Sequence, residues 1–166
     1  MLKRSKLARV GIKRAIVQPG RKPIKKGVTG QTSGNKRKPK TPEAKLKAEL
    51  WELCKKITRT RHGNTCYTCE APNLVGSNWH TGHFIPSSIC GLYLRYDLRN
   101  LRPQCFRCNI SLSGNGSAFY RKLVDDCGQP YVDTIFSDKL RDTKSNKAFY
   151  QTLIDEYKTI LSREYS

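Results

Sequence analysis

Apolar residues recur at helical spacing at both ends of the ordered part of this chain. Leu46, Leu50, Leu53, Cys54 and Ile57 form one such stripe, which predicts an amphipathic helix with Trp51 beside its apolar face. Thr41-Pro42-Glu43 marks the start of that helix, with an N-cap hydroxyl, a proline in the first turn and an acid near the positive dipole end. Lys55, Lys56, Arg59 and Arg61 load the other end, His62 reads as a dipole-favoured cap, and Gly63 stops the helix. A second stripe, Phe149, Leu153, Ile154, Tyr157, Ile160 and Leu161, predicts a closing helix over roughly residues 144–163. Before it, Ser117 caps a helix through Ala118–Cys127 ended by Gly128, and Gln129-Pro130 opens a shorter one over Tyr131–Leu140.

The middle of the chain reads differently. Ala71–Asn78 is a polar connection, Trp79–Ile85 a short strand ended by Pro86-Ser87-Ser88, and Leu92–Tyr96 a second extended piece. A short helix is expected just after Cys105, with Asn109 in its first turns facing back toward the strand, and Ser113-Gly114-Asn115-Gly116 breaks the chain. Residues 1–40 carry no apolar period. Lys and Arg alternate there with Gly11, Gly20, Gly27, Gly30, Gly34, Pro19, Pro23 and Pro39, so this segment cannot bury enough apolar surface to offset its ordering entropy and reads as a disordered basic arm.

Charge sharpens that division. The 166 residues carry a net charge of +19, from 32 Lys and Arg against 13 Asp and Glu. The first 40 residues hold 14 of the basic residues, Lys36, Arg37 and Lys38 among them, and no acid, which leaves 18 − 13 = +5 for the remainder. Such a block points to a polyanion, either nucleic acid or an acidic membrane surface, and nucleic-acid contact is preferred over a merely solubilising tail. No run of ~20 apolar residues is present to span a membrane, and the basic start is followed by no apolar stretch of a secretory signal.

Cysteines supply the first chemistry. Cys66-Tyr-Thr-Cys69 and Cys105-Phe-Arg-Cys108 are two Cys-x-x-Cys pairs separated by 35 residues, and together they offer four soft thiolates, the set a closed tetrahedral structural zinc requires. Two disulfides or four inert buried thiols are the bland alternatives; the charge and the lack of a signal segment speak against them. Seven cysteines in all is an odd number, which fits a reducing compartment, cytosol or nucleoid. Cys54 reads as a core residue, and Cys90 and Cys127 as packing residues before extra ligands or redox thiols. A four-thiolate zinc has no open position, so catalysis would fall to the polar residues it holds in place. Two of the three histidines, His80 and His83, lie on one predicted strand inside the loop, opposite Asn109. A strand histidine facing a helix asparagine suits a one-metal phosphodiesterase, in which imidazole deprotonates water. On spacing alone the pair could equally be satisfied core histidines or reserve metal ligands.

The run Cys66-x-x-Cys69, Trp79-x-x-Gly82-His83-Phe84, Leu94-Arg95-Tyr96, Arg99-Asn100, Gln104-Cys105-x-x-Cys108-Asn109, Ser113-Gly114-Asn115 and Tyr120-Arg121 resembles the phage NinG (Rap) recombination proteins, which are similar to HNH endonucleases and cut branched DNA. The resemblance covers roughly residues 42–165, is densest over 66–121, and leaves the basic arm outside. It implies an α+β fold with a small zinc-clamped ββα core of the HNH-like, treble-clef type. That core would occupy residues 64–116 of a domain running over 41–166, with helical flanks at 41–62 and 117–164. It implies His83 as general base, Asn100 as the central asparagine that tethers the loop backbone, and Asn109 as a ligand to a catalytic divalent ion, Mg2+ or Mn2+. Two positions depart from the pattern. The usual Asp three residues before the histidine is His80, and Gly82 stands where many HNH proteins carry a metal-binding Asp. His80, and His83 itself, are the remaining candidate ligands to the ion, and a histidine ligand would soften the site toward manganese, nickel or zinc; a phosphate contact is the other reading of His80.

Arg95, Arg99, Arg102 and Arg107 are candidate phosphate contacts, against the alternative of a solvated charged face. The function expected is a structure-selective DNA endonuclease acting on Holliday junctions or related branches, possible as a homodimer because junction resolution needs paired cuts. A zinc-knuckle DNA-binding accessory without catalysis is the rival, and an RNA-binding zinc protein a third reading that lacks the usual stacking motif.

Overall fold

The computed structural model describes residues 41–141 and 143–164, so the basic arm, with Lys36, Arg37 and Lys38, lies outside the described residues. Five α-helices surround a two-stranded sheet: α1 (Pro42–His62), β1 (His80–His83), α2 (Gly91–Tyr96), β2 (Leu101–Gln104), α3 (Gly116–Cys127), α4 (Gln129–Asp138) and α5 (Lys147–Glu164). The fold is therefore mixed but mostly helical, with four cysteines clustered beside the sheet. Among the described residues no helix is long and apolar enough to cross a membrane.

α1 begins where its cap dictates: the Thr41 side chain accepts from the Ala44 N–H, and Gly63, at φ 67°, ends the helix with its N–H on the Arg59 carbonyl. His62 sits in the last turn of α1 with Arg59 and Arg61, where desolvation and the charges of Arg102 and Arg61 lower its pKa. The α1 stripe buries Leu50, Cys54 and Ile57 against Tyr150, Ile154, Tyr157 and Leu161 of α5, with Tyr96 and Leu101 completing this core. Two ion pairs, Arg61–Glu164 and Lys158–Glu49, flank the seam between the helices. A second core, Phe84, Ile85, Cys90, Leu94, Phe119, Leu123, Val132 and Ile135, joins the end of β1 to α2, α3 and α4. Cys54 and Cys90 thus pack as expected, whereas Cys127 is exposed.

β1 and β2 pair antiparallel, with His80 opposite Gln104 and His83 opposite Leu101. β2 carries Pro103, which a two-stranded sheet tolerates because both strands are edges. Leu92–Tyr96 is helical, not extended. Leu94 and Tyr96 are its buried positions, and that alternation imitates a strand within a helix of six residues, too short to display its own period. Its entry is a turn with Gly91 at φ 68°, a conformation glycine adopts without Cβ strain. α3 begins one residue before the expected cap: Asn115, in the left-handed region at φ 49°, precedes it, and its side chain makes no cap bond. The short helix after Cys105 is a π-helix, Arg107–Ser111, a wide-turn form found mostly as single turns and often at functional sites.

Candidate functional site

The four thiol sulfurs of Cys66, Cys69, Cys105 and Cys108 lie within 4.8 Å of one another, and among the described residues they are the group of His, Cys, Asp or Glu able to hold a metal ion. Cys69 Sγ and Cys105 Sγ are 3.8 Å apart. With Zn–S bonds of ~2.3 Å, the edge of a tetrahedron is about 3.8 Å, so the residues present fit a zinc ion. All seven cysteines are free thiols, which removes the disulfide alternative. Burial alone would raise the Cys66 thiol, but the N–H groups of Cys105, Cys69 and Thr68 and the Thr68 hydroxyl point at it and bring it down to about 6. Asn115 Nδ2–H donates to Cys108 Sγ at 3.7 Å, a further donor to the sulfur shell. Among the described residues the apolar packing on this cluster is small, Leu74 with the flanking Ala71 and Trp79, so little apolar surface besides the cysteines holds the two knuckles together.

Beside the cluster lies a cleft of about 610 Å³, lined by Trp51, Lys55 and Arg59 from α1, by His80, Thr81 and His83 from β1, and by Asn109 and Ile110 from the π-helix. His83 is half-buried. Its Nε2–H donates to the Arg95 carbonyl at 3.0 Å, which fixes the neutral tautomer with the lone pair on Nδ1. Trp51 stacks on the ring, centroids 5.4 Å apart and planes within 4°. Burial lowers the His83 pKa and outweighs the bond to Arg95, so the ring is neutral at pH 7. With Nε2 committed, one nitrogen remains, and it can take a proton or bind an ion but not both.

Asn100 is fully buried and spends its whole amide on backbone: Oδ1 accepts from Ile85 N–H at 2.7 Å, and Nδ2 donates to the Ile85 and Leu94 carbonyls at 3.1 Å each. It ties the chain after β1 to the α2 segment that presents Arg95, and so fixes the carbonyl that holds His83. Asn109 and His80 are also brought together. His80 Nε2–H donates to the Ser77 carbonyl at 2.8 Å, and Asn109 Nδ2–H donates to the remaining nitrogen, His80 Nδ1, at 3.2 Å. An ion on His80 Nδ1 would displace that bond, and Asn109 would then offer its amide oxygen in place of the nitrogen. No carboxylate lines the cleft, which makes this donor set a poor match for magnesium and a better one for a softer cation.

Gly82 has a steric explanation. A Cβ there would stand 2.0 Å from Gln104 Oε1, because the buried Gln104 side chain lies across the strand and donates to Thr68 Oγ1 and to the Gly114 carbonyl at 3.1 and 2.8 Å. Gln104 thereby links the first knuckle to the loop after the second.

The four arginines divide. Arg99 is gripped by Asp97 and Asp138, each at 2.6 Å, and Arg102 is 6 % exposed, donates to the Leu101 carbonyl at 2.8 Å and sits over the Tyr67 ring. Arg102 is spent on backbone carbonyls inside the protein, whereas Arg99 is partly exposed and held by two carboxylates. Arg95 is exposed and donates to the Ser87 carbonyl at 2.7 Å, and Arg107 is exposed at the start of the π-helix. Trp51, Lys55 and Arg59 were missed as site residues. Their i, i+4, i+8 spacing places them on one face of α1, and only that spacing, next to the apolar stripe, could have flagged them. Arg59 lies over the Trp79 ring at 4.6 Å and donates to its carbonyl.

Comparison with known proteins gives a consistent family. The sequence family described as Bacteriophage Lambda NinG protein matches residues 12–164, so the likeness reaches well into the basic arm, which the resemblance described above had left outside. Protein ninG of Escherichia phage lambda is 33 % identical over 92 residues, covering 52 % of this chain and 44 % of that relative. Protein ninG of Salmonella phage P22 is 34 % identical over the same shares, and that of Escherichia phage 933W 33 %. The chain thus spans less than half the length of these curated relatives. No solved structure matches it.

Proposed function

Because this chain belongs to the bacteriophage lambda NinG protein family, we propose that it is a metal-dependent DNA endonuclease of phage recombination, HNH-like in its ββα core and selective for Holliday junctions or other branched DNA. The observation that carries this reading is the pairing, within one cleft, of a neutral His83 whose Nδ1 lone pair is held free with the adjacent His80 and Asn109 donors. His83 takes a proton from the attacking water at Nδ1, while the Arg95 carbonyl, kept in place through Asn100, holds the ring against rotation. His80 Nδ1 and the Asn109 amide oxygen would hold the divalent ion, manganese before magnesium on donor softness. When bound, that ion would supply charge stabilisation to the scissile phosphate and the leaving oxygen. Zinc in the four-cysteine shell would do no chemistry; it fixes the π-helix that carries Asn109. Arg95 and Arg107, both exposed, would contact the phosphate backbone, with Lys55, paired to Glu52 in the free protein, and Arg59, held on Trp79, adding positive charge along α1, and the basic arm would add sequence-independent affinity. Paired cuts on two strands would use two copies of the chain.

His83→Ala is the test. The general base acts only in the transition state, so cleavage of a four-way junction should fall about 10²–10⁴-fold while junction affinity stays within about threefold. Parent-level cleavage by that variant, with contaminating nuclease excluded, would leave the non-catalytic DNA-binding accessory as the function.

A further inference from the structure

We infer that Phe106 and Ile110 form a nucleobase subsite that receives an unpaired or splayed base at a DNA branch point and so sets the preference for branched over continuous duplex. The inference rests on the cleft being a DNA site. Four of the eight large hydrophobic residues exposed among the described residues, Val75, Phe106, Ile110 and Leu112, come from the two segments that frame the cleft. Phe106 and Ile110 are each 51 % exposed and one turn apart along the π-helix region, on either side of Asn109's turn. Leaving such side chains in water is unfavourable, and a cluster of them at a polar cleft marks a contact surface.

The ridge is also held in place. The Phe106 N–H donates to Asn78 Oδ1 at 2.8 Å, and its ring meets the His80 ring edge-on at 5.8 Å, so the outer face of Phe106 remains open beside the proposed ion ligands. Across the cleft the wall is of the opposite character, with Lys55, paired to Glu52 at 2.6 Å, and Arg59, seated on Trp79, on α1. An intact duplex offers phosphates and sugars to both walls and has nothing apolar for this rim. A branch point offers one strand's phosphates to the cationic wall and unstacked base faces to the apolar one. Stacking on aromatic side chains is the usual way a protein holds such bases, and it is tolerant of sequence.

The experiment uses the full chain, zinc-loaded and without added catalytic ion, so that no cut is needed for a signal. A four-way junction carrying 2-aminopurine at the branch point is compared with a linear duplex labelled at the matched position. The parent chain should quench the junction probe and leave the duplex probe unchanged. Phe106→Ala should remove the quench and weaken junction binding about tenfold, with duplex binding altered less than about twofold. Phe106→Tyr should retain both properties, and Ile110→Ser should lose part of each. Zinc content is measured on every variant; should Phe106→Ala lose its metal, Phe106→Tyr and Ile110→Ser decide the matter. Junction preference unchanged in Phe106→Ala or Ile110→Ser, or equal quenching of both probes, overturns the subsite. Because capture is read without cleavage, an inactive chain that still quenches would overturn the nuclease reading and not this one.

Discussion

Trp51 stacks on His83, centroids 5.4 Å apart and planes within 4°, so the proposed base has a helix of the flank against one face while its Nε2–H edge is tied to the backbone of α2. The stack keeps water from one face of the imidazole, and burial is the main cause of its lowered pKa. With the folded pKa below the ordinary value of about 6.5, the ring stays a base as the solution is acidified, and activity should be lost only below that pH. Trp51→Ala should re-expose the ring and move the acidic limb of the rate profile upward, toward 6.5, while Trp51→Phe should restore most of the shift. An acidic limb at the same pH in Trp51→Ala, or an unmoved His83 titration by NMR, would remove Trp51 from this role.

Asn109 and His80 make a second test. If both hold the ion, Asn109→Ala and His80→Ala should each raise the Mn2+ concentration needed for half-maximal cleavage, and excess metal should restore much of the rate. A His80→Ala defect that metal does not relieve would instead mark a phosphate contact.

The thiolate cluster predicts one tightly held zinc per chain. Cys105→Ser should lower stability by several kcal/mol, as loss of a structural metal does, because so little apolar surface holds the knuckles together. A stably folded parent chain with no zinc by elemental analysis would contradict this.

Arg99 and Arg107 should behave oppositely. Arg99→Ala leaves Asp97 and Asp138 without their shared cation and should cost about 1–3 kcal/mol of stability. It should leave the salt dependence of DNA binding alone. Arg107→Ala should leave the melting temperature alone and reduce the salt slope by about 1.

Placing at Gly82 the acid that many HNH proteins carry there should fail. Gly82→Asp would drive its Cβ into Gln104 and should destabilise the sheet by about 1–3 kcal/mol. Pairing Gly82→Ala with Gln104→Gly should recover part of the loss that Gly82→Ala causes alone; a strictly additive double variant would show that the two side chains do not compete for one space.

Much of this architecture was readable before any coordinates. The capped start of α1, its stripe and the α5 stripe follow from local chemistry, and the Cys-x-x-Cys pairs announce their own proximity. β2 was illegible because all four of its residues are buried, Arg102 and Gln104 included, so the alternation that betrays a half-exposed strand is missing. Arg102 has the side chain of a surface cation, and nothing local signals that it is buried. Asp138, which claims Arg99, is 39 residues away in sequence, and no local pattern could have paired them. The Trp51–His83 stack joins α1 to β1 in the same way: only the tertiary fold creates it.

Cys69 is the exposed member of the thiolate shell, and its three partners are buried. The shell therefore has one corner open to solvent, and chelators or oxidants should enter there first. Disassembly would then be ordered. The first knuckle lets go while Cys105 and Cys108 still hold the turn bearing Asn109, and the chain passes through a half-clamped form before the cleft is lost. How long the protein keeps working under oxidative stress would be set at that single sulfur, far in sequence from the residues it protects.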